Sequence, residues 1–344
     1  MYELACSDFE EFSRAIQGAD SRVMLAGREE SDWWLRGVEL PRLGVQLAQE
    51  GAPNIFEGVS WPNAVNLLMA LEGAPFNLNG IAFGHDTIGV LGADQGFTTL
   101  AAGRNSWASI SMTLPLFRDT FTQPRDGVRI LPSADTTHVR TDAAHMSRLH
   151  RLVERIVVNA MNGRLDDARM AQAAEGELLY AATLALGDVR QGDHHSRRGR
   201  PAISRRVAIQ KALEWIRGQQ DERVHIGALS EVAGVSERTL RSMFIEWFGI
   251  GPLTYLRTRQ VHQVHEALVM AESDVTVTSV ATRLGVWDQE AMTARYKNVF
   301  GETPVATLRR SRRRRRNGFG ADDSTNALGH QMRQQSTDHC DGDR

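Results

Sequence analysis

Glu237, Arg238, Arg241 and Ser242 lie within one six-residue stretch, interleaved with Leu240, Met243, Phe244 and Trp247 at helical spacing. The apolar residues take one side of a helix and the charged ones the other. Three residues turn a helix by about 300°, so Arg238 and Arg241 project from nearly the same side. A forked guanidinium held there matches the O6 and N7 atoms of guanine, and a glutamine amide matches the edge of adenine. Asp288, Gln289, Glu290, Thr293 and Arg295 form a comparable set around Met292, Tyr296 and Phe300. Side chains of these types at the start of an exposed helix have the chemistry of hydrogen-bonded recognition rather than of bond making.

The groups that could make or break bonds are poorly placed for it. A metal-dependent β-domain enzyme needs clustered histidines with a carboxylate, and residues 1–137 hold a single histidine, His85. His262 and His265 stand three apart on one helix without a Cys or Glu partner, which fits a solvated helix face. His194-His195 and His339-Cys340 fall in polar stretches. No Gly-rich loop ending in Lys-Ser or Lys-Thr and no Gly-x-Ser-x-Gly elbow occurs. Cys6 and Cys340, near opposite ends, make no disulfide framework. No catalytic residue, metal or cofactor is expected.

The recognition residues belong to an internal repeat. Leu240, Phe244, Phe248, Gly249, Pro252, Leu256 and Arg257 match Met292, Tyr296, Phe300, Gly301, Pro304, Leu308 and Arg309, each pair 52 apart. Upstream of the turn the offset is 51, pairing Ile226 with Val277, Leu229 with Val280 and Gly234 with Gly285. Each copy therefore predicts helix, tight turn, helix. Gly234 supplies the left-handed residue that ends the first helix. Ser236 and Asp288 are suited to cap the second helices, with Glu237 in the positive first turn of the helix that Ser236 opens. A connecting helix over about Pro252 to Met270 would join the two units. A second helix presented one turn after a first has the form that enters a major groove.

Charge divides the chain in the same way. Residues 1–187 hold 15 basic and 23 acidic side chains, 15 − 23 = −8, whereas residues 188–316 hold 23 and 14, 23 − 14 = +9. The basic block fits a polyanionic partner. Short strand-like runs broken by Gly, Pro, Asn and Asp, such as Thr87 to Leu91 and Trp107 to Met112, predict an antiparallel β domain over 1–141. Apolar residues at three- and four-residue steps from Met146 to Ala160, then an Ala-rich run, predict a helical hairpin over 142–187. Such stripes commonly seek a partner, so this hairpin is the expected dimerisation element of a homodimer, the alternative being that both stripes are buried against the β domain of the same chain. Residues 188–200 form a polar linker, 201–310 the helical domain, and 311–344 an Arg-rich run too dense in charge to fold alone, then a disordered tail. No apolar run approaches the ~20 residues that span a bilayer. The acidic first twenty residues are unlike a signal peptide, which makes the cytoplasm the expected location.

The strings AGVSERTLRSMF (233–244), FGIGPLTYLRTRQ (248–260) and RYKNVFGETPVATLRR (295–310) resemble the AraC/XylS family of bacterial transcription regulators. Ser230 departs from the family's usual alanine, and Val286 and Met292 from its usual phenylalanines. The resemblance implies an α+β chain of two domains: a cupin-like antiparallel β domain with a helical hairpin, then an all-α double helix-turn-helix. It further implies a transcriptional activator that binds double-stranded DNA, contacts RNA polymerase and answers to a small-molecule effector. Ser236, Glu237, Arg238, Arg241 and Ser242, with Asp288, Gln289, Glu290, Thr293 and Arg295, are the candidate DNA contacts. Trp33, Trp34, Trp61, His85 and Trp107 are candidates for lining an effector pocket. The competing reading is a helical protein-interaction module without specific DNA binding.

Overall fold

A computed structural model of the chain describes residues 1–6, 8–28, 32–74, 76–121, 137–187, 202–219, 224–271 and 274–316. The expected linker at 188–200 and the tail at 317–344, with their paired histidines and Cys340, lie outside the described residues.

The N-terminal part opens with β1 (Tyr2–Cys6), α1 (Phe9–Ala15), β2 (Ala19–Leu25), β3 (Trp33–Glu39) and β4 (Leu43–Glu50). It continues through β5 (Asn54–Ser60), β6 (Ala64–Gly73), β7 (Phe76–Leu78), β8 (Ile81–Phe83) and β9 (Thr87–Leu91). β10 (Gly96–Ala101), β11 (Asn105–Thr113), α2 (Leu114–Phe121), β12 (Thr137–Arg140), α3 (Ala143–Met161) and α4 (Ala168–Gly187) complete it. The strands form two antiparallel sheets, ordered β1-β3-β4-β11-β6-β9-β12 and β2-β5-β10-β7-β8. The helical part comprises α5 (Ala202–Gly218), α6 (Ile226–Ala233), α7 (Glu237–Phe248), α8 (Pro252–Val269), α9 (Val277–Arg283), α10 (Gln289–Phe300) and α11 (Pro304–Arg316). The chain is thus α+β in two domains, antiparallel sheets followed by helices.

Alternation along the strands builds the layers, because successive side chains leave a strand on opposite faces. On β4, Leu43, Val45 and Leu47 face a core shared with α3 and α4, whereas Ala48 faces the second sheet. On β5, Phe56 turns toward the first sheet, and Ile55 turns outward into the core of the first helix-turn-helix unit together with Met24 of β2. The order of layers is therefore helical hairpin, seven-stranded sheet, five-stranded sheet, helices.

The hairpin stripe that was expected to seek a second copy is covered by its own chain. Met146, Leu149, Val153, Ile156 and Val157 of α3 and Leu178, Ala181 and Ala185 of α4 are buried against Val45, Leu47, Leu67 and Ile110 of the seven-stranded sheet. Each Met, Leu, Val or Ile side chain among them contributes roughly 1.5–3 kcal/mol relative to exposure, and each alanine methyl less. Glu175, itself buried, locks the layer by accepting from the Arg42 backbone N–H at 2.7 Å and from its Nε at 2.6 Å. A sheet apolar on both faces needs a cover, and the hairpin supplies it.

The second contact across layers joins the two domains. Arg22 on β2 pairs with Glu266 on α8 at 2.8 Å, and His262 donates from Nε2 to the Leu25 carbonyl at 3.2 Å. Phe9 of α1 stacks on Phe300 of α10, centroids 6.0 Å apart. His262 and His265 accordingly lie at a buried interface, not on the solvated face that their spacing suits: they are 1% and 6% exposed. α8 runs between two helical units and the β domain, so little of its surface there meets water. The Arg-rich run differs from expectation as well. It continues α11 to Arg316, and Arg312 and Arg315 donate to the carbonyls of Val275 and Val269 at 2.7 and 3.4 Å. Arg315, at the carbonyl end of α8, complements its dipole.

Burial pushes His262 down to about 3 and His265 down to about 4, from an ordinary 6.5. Both rings stay neutral in the folded chain while the unfolded chain takes up protons below 6.5, so stability falls as pH falls through that value. Urea unfolding at pH 7 and pH 5 should show a loss of about 1–2 kcal/mol for His262 alone, and His262→Leu should flatten that part of the profile.

Candidate nucleic-acid interface

The first unit is α6, a turn, and α7. Gly234 ends α6 at φ +67°, a conformation in which a side chain is strained. Ser236 then caps α7 by accepting from the Thr239 N–H at 3.2 Å. Leu240, Met243, Phe244 and Phe248 are buried inward, and Ser236, Glu237, Arg238, Arg241 and Ser242 are all exposed. Among the described residues, neither Arg238 nor Arg241 is held in an ion pair, so both guanidinium forks are open to an outside acceptor.

The second unit repeats the plan with differences. α9 carries a capping box between Thr276 and Ser279. Asp288 caps α10 by accepting from the Ala291 N–H at 2.9 Å. Asp288, Gln289 and Glu290 are exposed, whereas Thr293 and Arg295 are half-buried. Met292 and Tyr296 face inward. Phe300 faces a mixed environment, stacked at 4.0 Å on His265 and reaching Phe9 of the β domain. The Tyr296 hydroxyl lies 2.7 Å from His265 Nδ1 and donates to Thr307 Oγ1 at 2.7 Å, tying α8, α10 and α11 together. Trp287, in the turn before α10, is 82% exposed, and its position was not singled out in the sequence. The signal was available: Val286 matches Val235, each donating its N–H to the carbonyl five residues back, so Trp287 is the one residue that the second turn adds.

A family model described as a helix-turn-helix domain matches residues 229–310. XylDLEGF operon transcriptional activator 3 of Pseudomonas putida is 27% identical over 104 residues, 30% of this chain and 31% of the relative. The multiple antibiotic resistance protein MarA of Salmonella typhimurium is 29% identical over 109 residues, 32% of this chain and 81% of MarA. The C-terminal domain belongs to the AraC/XylS family. The chain spans about a third of the length of the P. putida activator, so the likeness concerns this AraC-type domain alone. A solved structure of the AraC-like transcriptional activator CuxR aligns over 77% of this chain and 95% of its own, at 14% identity and a TM-score of 0.40.

Behind the AraC-type domain stands the five-stranded sheet, and behind that a cavity of about 50 Å³ between the sheets. Trp107 lines it. The other four proposed ligand residues do not converge there. Trp33 is buried against Phe12 at 5.0 Å, and Trp34 is half-buried beneath the Arg36 guanidinium, 4.8 Å away. Trp61 is half-buried in the β5–β6 connection, and His85 is exposed in the β8–β9 turn. The sequence reading missed Glu50 and Gln46, two polar residues of β4 that face the cavity.

Tyr255, at the start of α8, links sheet to reading head. It packs against Phe244 and Phe248 of α7, centroids 5.4 and 4.9 Å away. Its hydroxyl donates to the carboxylate of Glu57 on β5, and both residues are buried. Tyr255→Phe should lower stability by about 1–3 kcal/mol, since it leaves a buried acceptor unsatisfied. A double-mutant cycle with Glu57→Gln should return a coupling of about 0.5–3 kcal/mol; strictly additive losses would mean that the bond contributes nothing.

Proposed function

We propose that this chain is a sequence-specific transcription regulator in which α7 and α10 enter successive major-groove segments of double-stranded DNA. The observation that carries the reading is the pair Arg238 and Arg241: two exposed, unpaired guanidinium groups at the start of a capped helix whose other face is fully packed. Ser236, Glu237 and Ser242 accompany them on α7, and Asp288, Gln289, Glu290, Thr293 and Arg295 serve α10. Trp287 adds an apolar surface beside that second set, suited to a thymine methyl or a deoxyribose. The arginines of α11 add phosphate contacts, which position the domain without reading sequence.

The relatives named as operon transcriptional activators support activation over repression, and an activator of this kind would act by contact with RNA polymerase. The cavity between the sheets supports an effector site, because it lies one sheet away from the AraC-type domain. A homodimer would use the outer face of the hairpin, where Val158, Met170 and Tyr180 are exposed, since the inner stripe is already covered.

Fluorescence anisotropy of the full chain on DNA tests the reading. Affinity should fall by about 10³-fold or more between 50 and 200 mM salt if six or more phosphates are contacted. On a selected site, Arg238→Ala and Arg241→Ala should each remove preference at one base pair, costing about 1–3 kcal/mol there, with little change on random DNA. Equal weakening on every sequence would make them phosphate clamps. No salt-sensitive binding by the folded chain would leave the interaction-module reading.

A further inference from the structure

The cavity between the sheets has an apolar wall, formed by Ile16, Phe56, Leu68, Phe76, Leu91 and Phe97, and a polar edge along β4. On that edge Glu50 is 3% exposed. Its Oε2 accepts from Asn54 Nδ2 and from Asn105 Nδ2, each at 2.7 Å, and its Oε1 accepts from Trp107 Nε1 at 2.7 Å. All three donors are neutral. Among the described residues, no Lys, Arg or His pairs with this carboxyl group. A carboxylate has about four acceptor sites, so three are taken and one, on Oε1, is open. Every partner donates and none accepts, which is the arrangement for a carboxylate anion and not for a protonated acid. Burial raises the Glu50 pKa above its ordinary value, and the three hydrogen bonds offset part of that rise, which a cationic partner would complete.

Gln46, four residues earlier on the same face of β4, is also 3% exposed. Its Nε2 donates to the Tyr2 hydroxyl at 2.5 Å, and its Oε1 is buried without a partner. A buried acceptor without a donor is costly, and a buried charge without a counter-charge more so. The two unmet needs have the same sign: each asks for a donor, and Glu50 asks for a positive one. The β11 side of the site is built irregularly. The ladder between β11 and β6 shifts register between Asn105 and Trp107, the two β11 residues that hold Glu50, and such bulges commonly re-aim side chains beside sites.

We propose that this cavity binds a small primary amine as its ammonium ion, with Glu50 Oε1 taking the charged head and the phenylalanine-rich wall taking the alkyl body. Gln46 Oε1 receives a second donor farther along β4. The size agrees: a water needs about 10–15 Å³ by this measure of volume, so 50 Å³ admits about three to five such groups. The inference rests on reading the cavity as the effector site, but its test involves no DNA, so either can fail without the other.

Calorimetric titration of the full chain with n-butylamine and with n-butanol, near neutral pH, distinguishes charge from shape. The amine should bind at least tenfold tighter than the alcohol, and Glu50→Gln should bring the amine down to the level of the alcohol. Gln46→Leu, which leaves the carboxylate in place, should weaken the amine several-fold and serves if Glu50→Gln does not fold. In the unaltered chain, equal affinity for amine and alcohol, or no heat of binding at millimolar amine, overturns the proposal whatever the variants do.

Discussion

Tyr255 stands where the β domain, the connecting helix and the first reading helix meet, and its hydroxyl bond to Glu57 crosses 198 residues of chain. The ring forms part of the aromatic core that holds α7 in place, through Phe244 and Phe248. Drawing the domains apart would leave Glu57 without its donor and uncover Met24 and Ile55, which belong to the core of the first unit. The rest of α8 follows from that anchor. Once Tyr255 is fixed, His262 lies over the end of β2 and Glu266 over Arg22, and the second unit is brought to Phe9 through Phe300. The contact also explains why two histidines are held neutral: they belong to a wall between domains, where a proton has no water to meet.

The five-stranded sheet has work on both faces because a strand's side chains alternate with a period of two. Phe56 and Phe97 line the cavity, while Ile55 and Glu57 belong to the helices. The cavity and the first reading unit are therefore separated by a single thickness of backbone. Close-packed interiors have few voids and transmit displacement. A molecule bound in the cavity against Phe56 would touch the strand that holds Glu57, with no long relay in between.

Local chemistry was legible in the sequence, and long-range covering was not. The caps at Ser236 and Asp288, the left-handed glycines and the buried faces of α7 and α10 follow from residues within a turn of each other, and all are present. Two copies of that pattern strengthened the reading, since their offset fixed the register of one against the other. The position of α8 depends on Glu57 and Leu25, residues far away in sequence, so a helical pattern with two histidines read as a solvated face. The cover of the hairpin was hidden for the same reason. Periodicity identified its apolar stripe but carries no record of what covers it. In β4, Gln46 and Glu50 share a face with Ala48, a polar pair on a strand buried on both sides, which was the available hint of a cavity. Tryptophans drew attention instead, and only Trp107 proved to line the cavity.

On this account α8 joins two reading heads so that both meet one face of DNA. Selection of bound sequences from a random duplex library by the full chain tests it most directly. Two short preferred blocks centred about 10–10.5 base pairs apart, one for each recognition helix, are the predicted result. A single block that survives removal of the α10 side chains Gln289 and Glu290, or no enrichment at all, would contradict it.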